Sequence, residues 1–151
     1  MVTGCQRVGE TGDGKVKLSF QIWDTAQRNG MESVAKAYMD RNPDVVIDVQ
    51  VTSWDEYWTK LDAAAESNQL PDIFWMHTNQ ILKYADYGKL ADVTDLYDQE
   101  DPDYYTKHFS EISLNNAKGS DGRIYGVPKD KDTVCLVYNR EMFDNAGLAY
   151  P

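Results

Sequence analysis

Apolar positions along this chain change spacing in a regular order, which predicts strands and helices in turn. Short apolar runs rich in β-branched or aromatic residues predict three strands, at residues 16–23, 45–51 and 73–76. Each run is followed by a polar loop and then by apolar residues at helical spacing. The chain therefore alternates strand and helix at least three times.

The three helices are marked at their ends as well as along their faces. The first has Met31, Val34, Ala35 and Tyr38 on one face and should end at Asn42-Pro43. The second should open at a capping box, residues 53–56, and the third, about residues 79–87, should stop at Gly88. The second helix carries an apolar stripe of Trp54, Tyr57, Trp58, Leu61 and Ala65. Successive β–α units predict an α/β fold, a parallel sheet with helices on both faces.

The last quarter of the chain has a different order of elements. Residues 122–151 predict a tight turn, a short apolar strand, a charged bend at residues 129–132, a second apolar strand and a small helix. Asn139 is placed to cap that helix, and Gly147 to end it. A strand, a charged bend and a second strand suit a chain that leaves one lobe and enters another.

Aromatic and polar residues follow the three predicted strands. Because ligands of open parallel sheets collect at the carboxyl ends of strands, these residues are the candidate binding site. Their indole, amide, hydroxyl, imidazole and carboxylate groups suit a neutral, hydroxylated ligand. The candidates are Trp23, Asp24, Gln27, Trp54, Trp75, His77, Thr78 and Asn79.

Several of these candidates have a structural alternative. Trp75, inside an apolar strand, is as well placed for the core as for a ligand, and Trp54 could pack locally in a first helical turn. Asp24 could hold a turn, and His77 could be a structural histidine. Trp23, at the end of a strand, is the residue expected first to face the ligand. A lone histidine makes no metal site, so neither a metal nor a cofactor is predicted.

Charge excludes two classes of partner. The chain has 25 Asp and Glu against 15 Lys and Arg, a formal net charge of −10. Such a surface repels phosphate backbones and anionic lipid, so binding to nucleic acid or to a membrane surface is not expected.

A disulfide framework is not expected from the two cysteines, Cys5 and Cys135, because one lies in a flexible start and the other in a predicted strand. Val2-Thr3-Gly4-Cys5 has the small-residue pattern that precedes a lipid-modified cysteine in bacterial lipoproteins. The signal region that should precede such a site is not present in the sequence, and a chance Gly-Cys pair is the alternative. Residues 1–14, rich in Gly, Thr and charge, are expected to be a flexible tether.

Three groups of residues carry a resemblance to a known family. Pro71-Asp72-Ile73-Phe74-Trp75, then His77, Tyr84, Gly88 and Leu90, resemble the third strand and helix of extracellular carbohydrate-binding lipoproteins (solute-binding family 1) of bacterial ABC sugar importers. Asn42-Pro43 followed by Val45, Ile47 and Val49 is similar to that family's second strand. Tyr125-Gly126-Val127-Pro128, Tyr138-Asn139 and Phe143-x-x-Ala146-Gly147-Leu148 resemble its first inter-lobe crossover.

The resemblance implies a fold and a domain organisation. It implies a periplasmic-binding-protein-like N-terminal lobe at residues 15–133, then a crossover strand and the first helix of an incomplete second lobe at residues 134–151. A chain that stops after the first crossover would leave a sheet edge unfilled, and self-association between copies is then possible.

The resemblance also implies a function and a site. The protein would bind an extracellular sugar or oligosaccharide and deliver it to ABC permease subunits by lobe closure, without catalysis. It would be held at the outer face of the cell membrane only through a lipid on Cys5. In such relatives the sugar contacts map onto the loop after the first strand and the end of the third strand, and the crossover bend adds Asp130 and Asp132.

Two alternatives stay open. Aromatic platforms with carboxylates also describe glycosidases, but that chemistry needs two carboxyl groups across one bond, and Asp24 has no evident partner at the strand ends. A binding protein for another solute, such as a polyamine, would share the fold.

Overall fold

The computed structural model describes residues 9–10, 14–96 and 103–151 of the 151-residue chain. Cys5 and most of the predicted tether lie outside the described residues. The chain divides into two compact units, one ending at Ala91 and the other running from Asp92 to Pro151. The predicted boundary at 133/134 stays a prediction.

The first unit is built on a four-stranded sheet. Its strands are β1 (Gly9–Glu10), β2 (Val16–Ile22), β3 (Val45–Val51) and β4 (Ile73–Phe74). β2 pairs in parallel with β3 along all seven residues, and in parallel with β4 through Phe20 and Gln21. β1, inside the segment predicted to be a tether, pairs antiparallel with the start of β2. The predicted α/β fold with a parallel sheet is confirmed.

Helices follow three of the strands. In the first unit they are α1 (Arg28–Arg41), preceded by a 3-10 turn (Thr25–Gln27), α2 (Trp54–Glu66) and α3 (Thr78–Asp86). The second unit contains α4 (Tyr104–His108), α5 (Glu111–Asn115) and α6 (Arg140–Ala146). α1 ends at its cap residue Asn42, α3 is followed by Gly88 at a positive φ of 66°, and α6 lies between its cap residues Asn139 and Gly147, as the sequence predicts.

The core of the first unit forms two clusters, one containing residues of α1 and the other residues of α2 and α3. Successive side chains of a strand point to opposite faces, and around β4 Phe74 packs with one cluster while Trp75 belongs to the other. Helices therefore cover both faces of the sheet. The buried residues are Ile22, Ala35, Val49 and Trp75 in one cluster and Tyr57, Leu61, Ala65 and Tyr84 in the other.

Three local predictions in this unit are wrong. The third strand contains only Ile73 and Phe74, and the chain beyond them forms the connection to α3. Ser53 stands at the N-cap of α2, but its side chain makes no capping hydrogen bond, so the predicted capping box does not form. On α1 only Ala35 is buried, whereas Val34 and Tyr38 are at least half exposed. α1 lies against the sheet with a narrower apolar face than its sequence spacing predicts.

The two strands predicted in the crossover are also wrong. Among described residues 103–151 the backbone shows no strand, only a single antiparallel bridge between Lys118 and Ile124. Val134, Leu136 and Val137 are between 73% and 99% exposed. A strand exists through hydrogen bonds to a neighbouring strand, and apolar alternation alone supplies no such neighbour.

Candidate functional site

All four tryptophans of the chain lie together at one edge of the sheet. Trp23, Trp54, Trp58 and Trp75, the tryptophan cluster, have neighbouring ring centroids 5.1 to 5.9 Å apart. Most of these contacts are edge-to-face, the geometry that aromatic quadrupoles favour. The sequence prediction that the strand ends converge on one aromatic site describes this arrangement, and the predicted role of its residues stays a prediction.

Parallel strands bring these residues to the same edge. Trp23 directly follows β2, Trp54 begins the helix after β3, and Trp75 directly follows β4. The Thr52 amide donates to the Ile22 carbonyl at 2.9 Å, and the Trp75 amide donates to the Gln21 carbonyl at 3.0 Å. These bonds continue the pairing past the strand ends. They fix the position of the backbone from which the side chains of the three tryptophans extend.

The most exposed member of the cluster is Trp54. It is 45% exposed, whereas Trp75 is 7% exposed and belongs to the core. The Trp54 ring is contacted edge-to-face by Trp23, Trp58 and His77, at centroid distances of 5.2, 5.5 and 5.6 Å. Trp23, the residue expected first to face the ligand, is half-buried between the two core clusters. Trp54 therefore offers an indole surface that is both exposed and held in place.

His77 joins the aromatic rings to a set of polar groups. Its Nδ1 accepts a hydrogen bond from the Asn79 amide at 3.2 Å and so caps α3. In a neutral imidazole whose Nδ1 accepts, the proton sits on Nε2, which is then a donor. Thr78 and Asn79, in the first turn of α3, are exposed. Trp23, His77 and Asn79 are thus linked through Trp54 on one side of the unit.

Asp24 and Gln27 are joined to each other. The Asp24 carboxylate accepts from the Ala26 amide at 2.8 Å and from Gln27 Nε2 at 3.0 Å, so it caps the 3-10 turn. Both carboxylate oxygens have a local donor, as expected for a turn residue. This arrangement gives no support to a glycosidase, which needs a second carboxyl group across a bond from the first.

Below the cluster lies Tyr57, which is 1% exposed. Its hydroxyl donates to the Trp75 carbonyl at 2.7 Å and lies 3.3 Å from the Gln21 carbonyl, so it bridges the ends of β2 and β4. Its ring centroid is 5.2 Å from those of both Trp23 and Trp58. Burial raises the pKa of the Tyr57 phenol far above its usual value, and the group is a neutral donor at any ordinary pH.

Sequence reasoning placed Tyr57 and Trp58 on the apolar stripe of α2 but not in the site. The signal was available in their spacing, because residues three and four positions after Trp54 share its helix face. The sequence does not give the distance between that face of α2 and the strand ends, so it could not place the two residues in the site.

The two crossover candidates lie in the second unit. Asp130 pairs with Lys129, and both Asp130 and Asp132 are exposed. Their part in ligand binding stays a prediction.

The part of the chain that the structure describes has neither a metal cluster nor a membrane-spanning helix. It contains no group of three His, Cys, Asp or Glu side chains placed to hold a metal ion. None of its helices combines the length and the apolar character that crossing a membrane requires.

Comparison with known proteins decides the family. The family model described as bacterial extracellular solute-binding protein matches residues 23–151, most of the chain. The chain belongs to this family. The predicted family is confirmed.

Curated members of the solute-binding family resemble the chain over almost its whole length. It is 24% identical over 143 residues to the diacetylchitobiose binding protein of Streptomyces coelicolor, which covers 95% of the chain and 32% of that relative. It is also 24% identical over 156 residues to the melibiose/raffinose/stachyose-binding protein of Bacillus subtilis, covering 100% of the chain and 34% of the relative. The chain thus spans about a third of the length of the curated relatives it matches.

A solved solute-binding protein shows the same fold. An ABC substrate-binding protein of Listeria monocytogenes in complex with cycloalternan is 27% identical, with a TM-score of 0.64, covering 91% of the chain and 34% of that structure. Together with the parallel sheet, this similarity identifies the chain as a periplasmic-binding-protein-like lobe.

Proposed function

We propose that this chain binds a neutral sugar or oligosaccharide at the tryptophan cluster, as part of an extracellular receptor that supplies an ABC permease. The relatives named for diacetylchitobiose and raffinose, and the solved protein in complex with cycloalternan, support the class of ligand. The chemistry of the site supports it as well, since indole faces stack on sugar C–H faces while polar groups pair with hydroxyls.

The observation that carries the proposal is the Trp54 ring. It is exposed enough to meet a ligand, yet three aromatic neighbours fix its orientation. A ring that is already ordered loses little conformational entropy when a ligand stacks on it, and preorganisation of this kind raises affinity.

Polar groups beside Trp54 would supply the directional contacts. His77 Nε2 is a donor, and Thr78 and Asn79 present a hydroxyl and an amide in the exposed first turn of α3. Asp24 orients the Gln27 amide from the first strand end. Trp75 would act from below by supporting Trp23, whose ring centroid lies 5.1 Å away. Asp130 and Asp132, in the second unit, are further candidates for ligand contacts.

A Trp54→Ala variant tests the proposal. Calorimetric titration with N,N′-diacetylchitobiose, raffinose and maltose should show binding to the wild-type chain for at least one sugar. The variant should bind that sugar about tenfold or more weakly, because it loses the stacking surface.

Tyr38→Ala is the matched control, since Tyr38 is 50% exposed on α1 and should leave the affinity unchanged. Equal weakening by both variants, or no binding of any of the three sugars, would contradict the proposal. The sugar should be recovered intact, whereas cleaved products would favour the glycosidase.

Delivery to a permease would follow if bound sugar closes this lobe against a second one, which makes the ligand-bound form distinguishable. Sugar uptake by permease-containing vesicles should then depend on the receptor. A lipid on Cys5 would hold the receptor at the outer face of the membrane, and a Cys5→Ser variant should lose labelling by radioactive palmitate.

A further inference from the structure

We propose that Tyr57 is a positioning residue: its hydroxyl sets the arrangement of the tryptophan cluster and His77, and through them the affinity for sugar. The part that concerns sugar rests on the proposed function. Tyr57 is 1% exposed and would not touch the ligand.

The strand that precedes His77 is short. β4 contains two residues, and its parallel ladder to β2 has two pairs, Phe20 with Ile73 and Gln21 with Phe74. A ladder this short leaves the following residues dependent on other contacts for their position. The Tyr57 hydroxyl supplies one of these contacts, because it donates to the carbonyl of Trp75, two residues before His77.

The same hydrogen bond ties β4 to the helix that carries Trp54. Tyr57 and Trp54 are three residues apart on α2, so they share one helix face. The Tyr57 hydroxyl thus connects the element bearing the indole surface with the element bearing the imidazole. The 5.6 Å separation of the Trp54 and His77 rings spans these two elements.

The ring of Tyr57 acts in the same direction as its hydroxyl. It lies edge-to-face against Trp23 at 5.2 Å and against Trp58 at 5.2 Å, beneath the exposed side of the cluster. Replacing Tyr57 by Phe keeps these ring contacts and removes only the oxygen. The variant therefore isolates the hydrogen bond to the strand ends.

A second buried tyrosine provides a matched control. Tyr84 is 2% exposed, and its hydroxyl also has one strong acceptor, the Asp62 carboxylate on α2 at 2.7 Å. Burial raises the pKa of the phenol for both tyrosines. Tyr84→Phe removes the hydroxyl of a similarly buried tyrosine, but one that bonds a side chain on α2 instead of a strand-end carbonyl.

Intrinsic fluorescence gives a direct readout, because every tryptophan of the chain belongs to the cluster. With excitation confined to tryptophan, Tyr57→Phe should shift the emission and increase quenching by acrylamide, whereas Tyr84→Phe should leave both unchanged. Thermal unfolding, measured in parallel, reports the loss of stability that both variants share.

Titration with N,N′-diacetylchitobiose, raffinose and maltose gives the second readout. Tyr57→Phe should weaken binding by about three- to tenfold, the range of one hydrogen bond, while Tyr84→Phe should match the wild-type chain. Wild-type emission and affinity in Tyr57→Phe would overturn the inference. So would equal changes in both variants, or a Tyr57→Phe chain that is unfolded where Tyr84→Phe is folded.

The two proposals fail in distinguishable ways. If none of the three sugars binds the wild-type chain, the proposed function fails, and the fluorescence comparison still decides whether Tyr57 positions the cluster. If sugar binds and the two tyrosine variants behave alike, the proposed function stands and the role of Tyr57 is lost.

Discussion

Two segments of this chain have nearly the same apolar character and different structures. β3, with the sequence VVIDVQV, pairs with β2 along its full length, and Val49 within it is 8% exposed. Residues 134–138, VCLVY, form no strand, and Val134 and Val137 are 99% and 86% exposed. The first segment has a partner strand and a covering helix, and the second has neither among the described residues.

This difference shows what β-propensity expresses. Branched and aromatic residues fit a pleated, half-buried surface, and that surface exists only when a neighbour supplies hydrogen bonds and a helix covers it. α1 does this for β3: Ala35 is buried beside Val49, and Met39 sulfur accepts from the Ile47 amide at 3.2 Å. Without such partners, an apolar run only marks where a strand could form.

Hydrogen exchange should show the largest contrast. Amides of β3 should be protected about a thousandfold or more relative to those of residues 134–138, because core strands open only with global unfolding. Exchange measured residue by residue would check this. Protection of residues 134–138 that rises with protein concentration would show pairing between copies, as the predicted self-association requires, and equal protection at all concentrations would contradict the contrast.

A pair of substitutions should show the same contrast in stability. Ile22→Ala, at a fully buried residue of β2, should lower the free energy of unfolding by about 2–5 kcal/mol, because it leaves a cavity. Leu136→Ala, at a residue that is 73% exposed, should change it by less than about 0.5 kcal/mol. Urea-induced unfolding, monitored by circular dichroism, measures the unfolding of both units. Similar losses for the two variants would mean that Leu136 is buried in solution.

The smallest effect is expected at Asp62. Hydrogen bonds from Lys83 and Tyr84 lower the pKa of its carboxyl below the usual value. The stability it contributes is present above the ordinary pKa and is lost as the pH falls through the lowered folded-state pKa. The Asp62 side chain is 46% exposed, so screening keeps this contribution below about 1 kcal/mol.

Measurement of the free energy of unfolding at decreasing pH would test this. Asp62→Asn should abolish the part of the acid-induced loss of stability that depends on this carboxylate. Tyr84→Phe should abolish a smaller part of it, because Lys83 still pairs with the carboxylate. An unchanged acid limb in Asp62→Asn would contradict the assignment.

Sequence reasoning predicted the order and type of elements in the first unit, because each strand and helix there has its own period and end signals. Asn42 and Gly88 mark helix ends whose cause is local backbone chemistry, and the structure agrees. Sequence reasoning was wrong about the burial of Val34 and Tyr38, because spacing shows which residues share a helix face but not how much of that face a sheet covers.

In the candidate site, the sequence by itself determined that aromatic and polar residues follow the strands, and that parallel strands bring such residues to one edge. Only the tertiary structure decided that Trp75 is core, that Trp54 is the exposed ring, and that the Tyr57 hydroxyl joins the two strand ends. The physical reason is the distance over which each signal acts. Periodicity and capping act within a few residues of the sequence. Burial and the hydrogen bonds between α2 and the end of β4 depend on distances that only packing fixes.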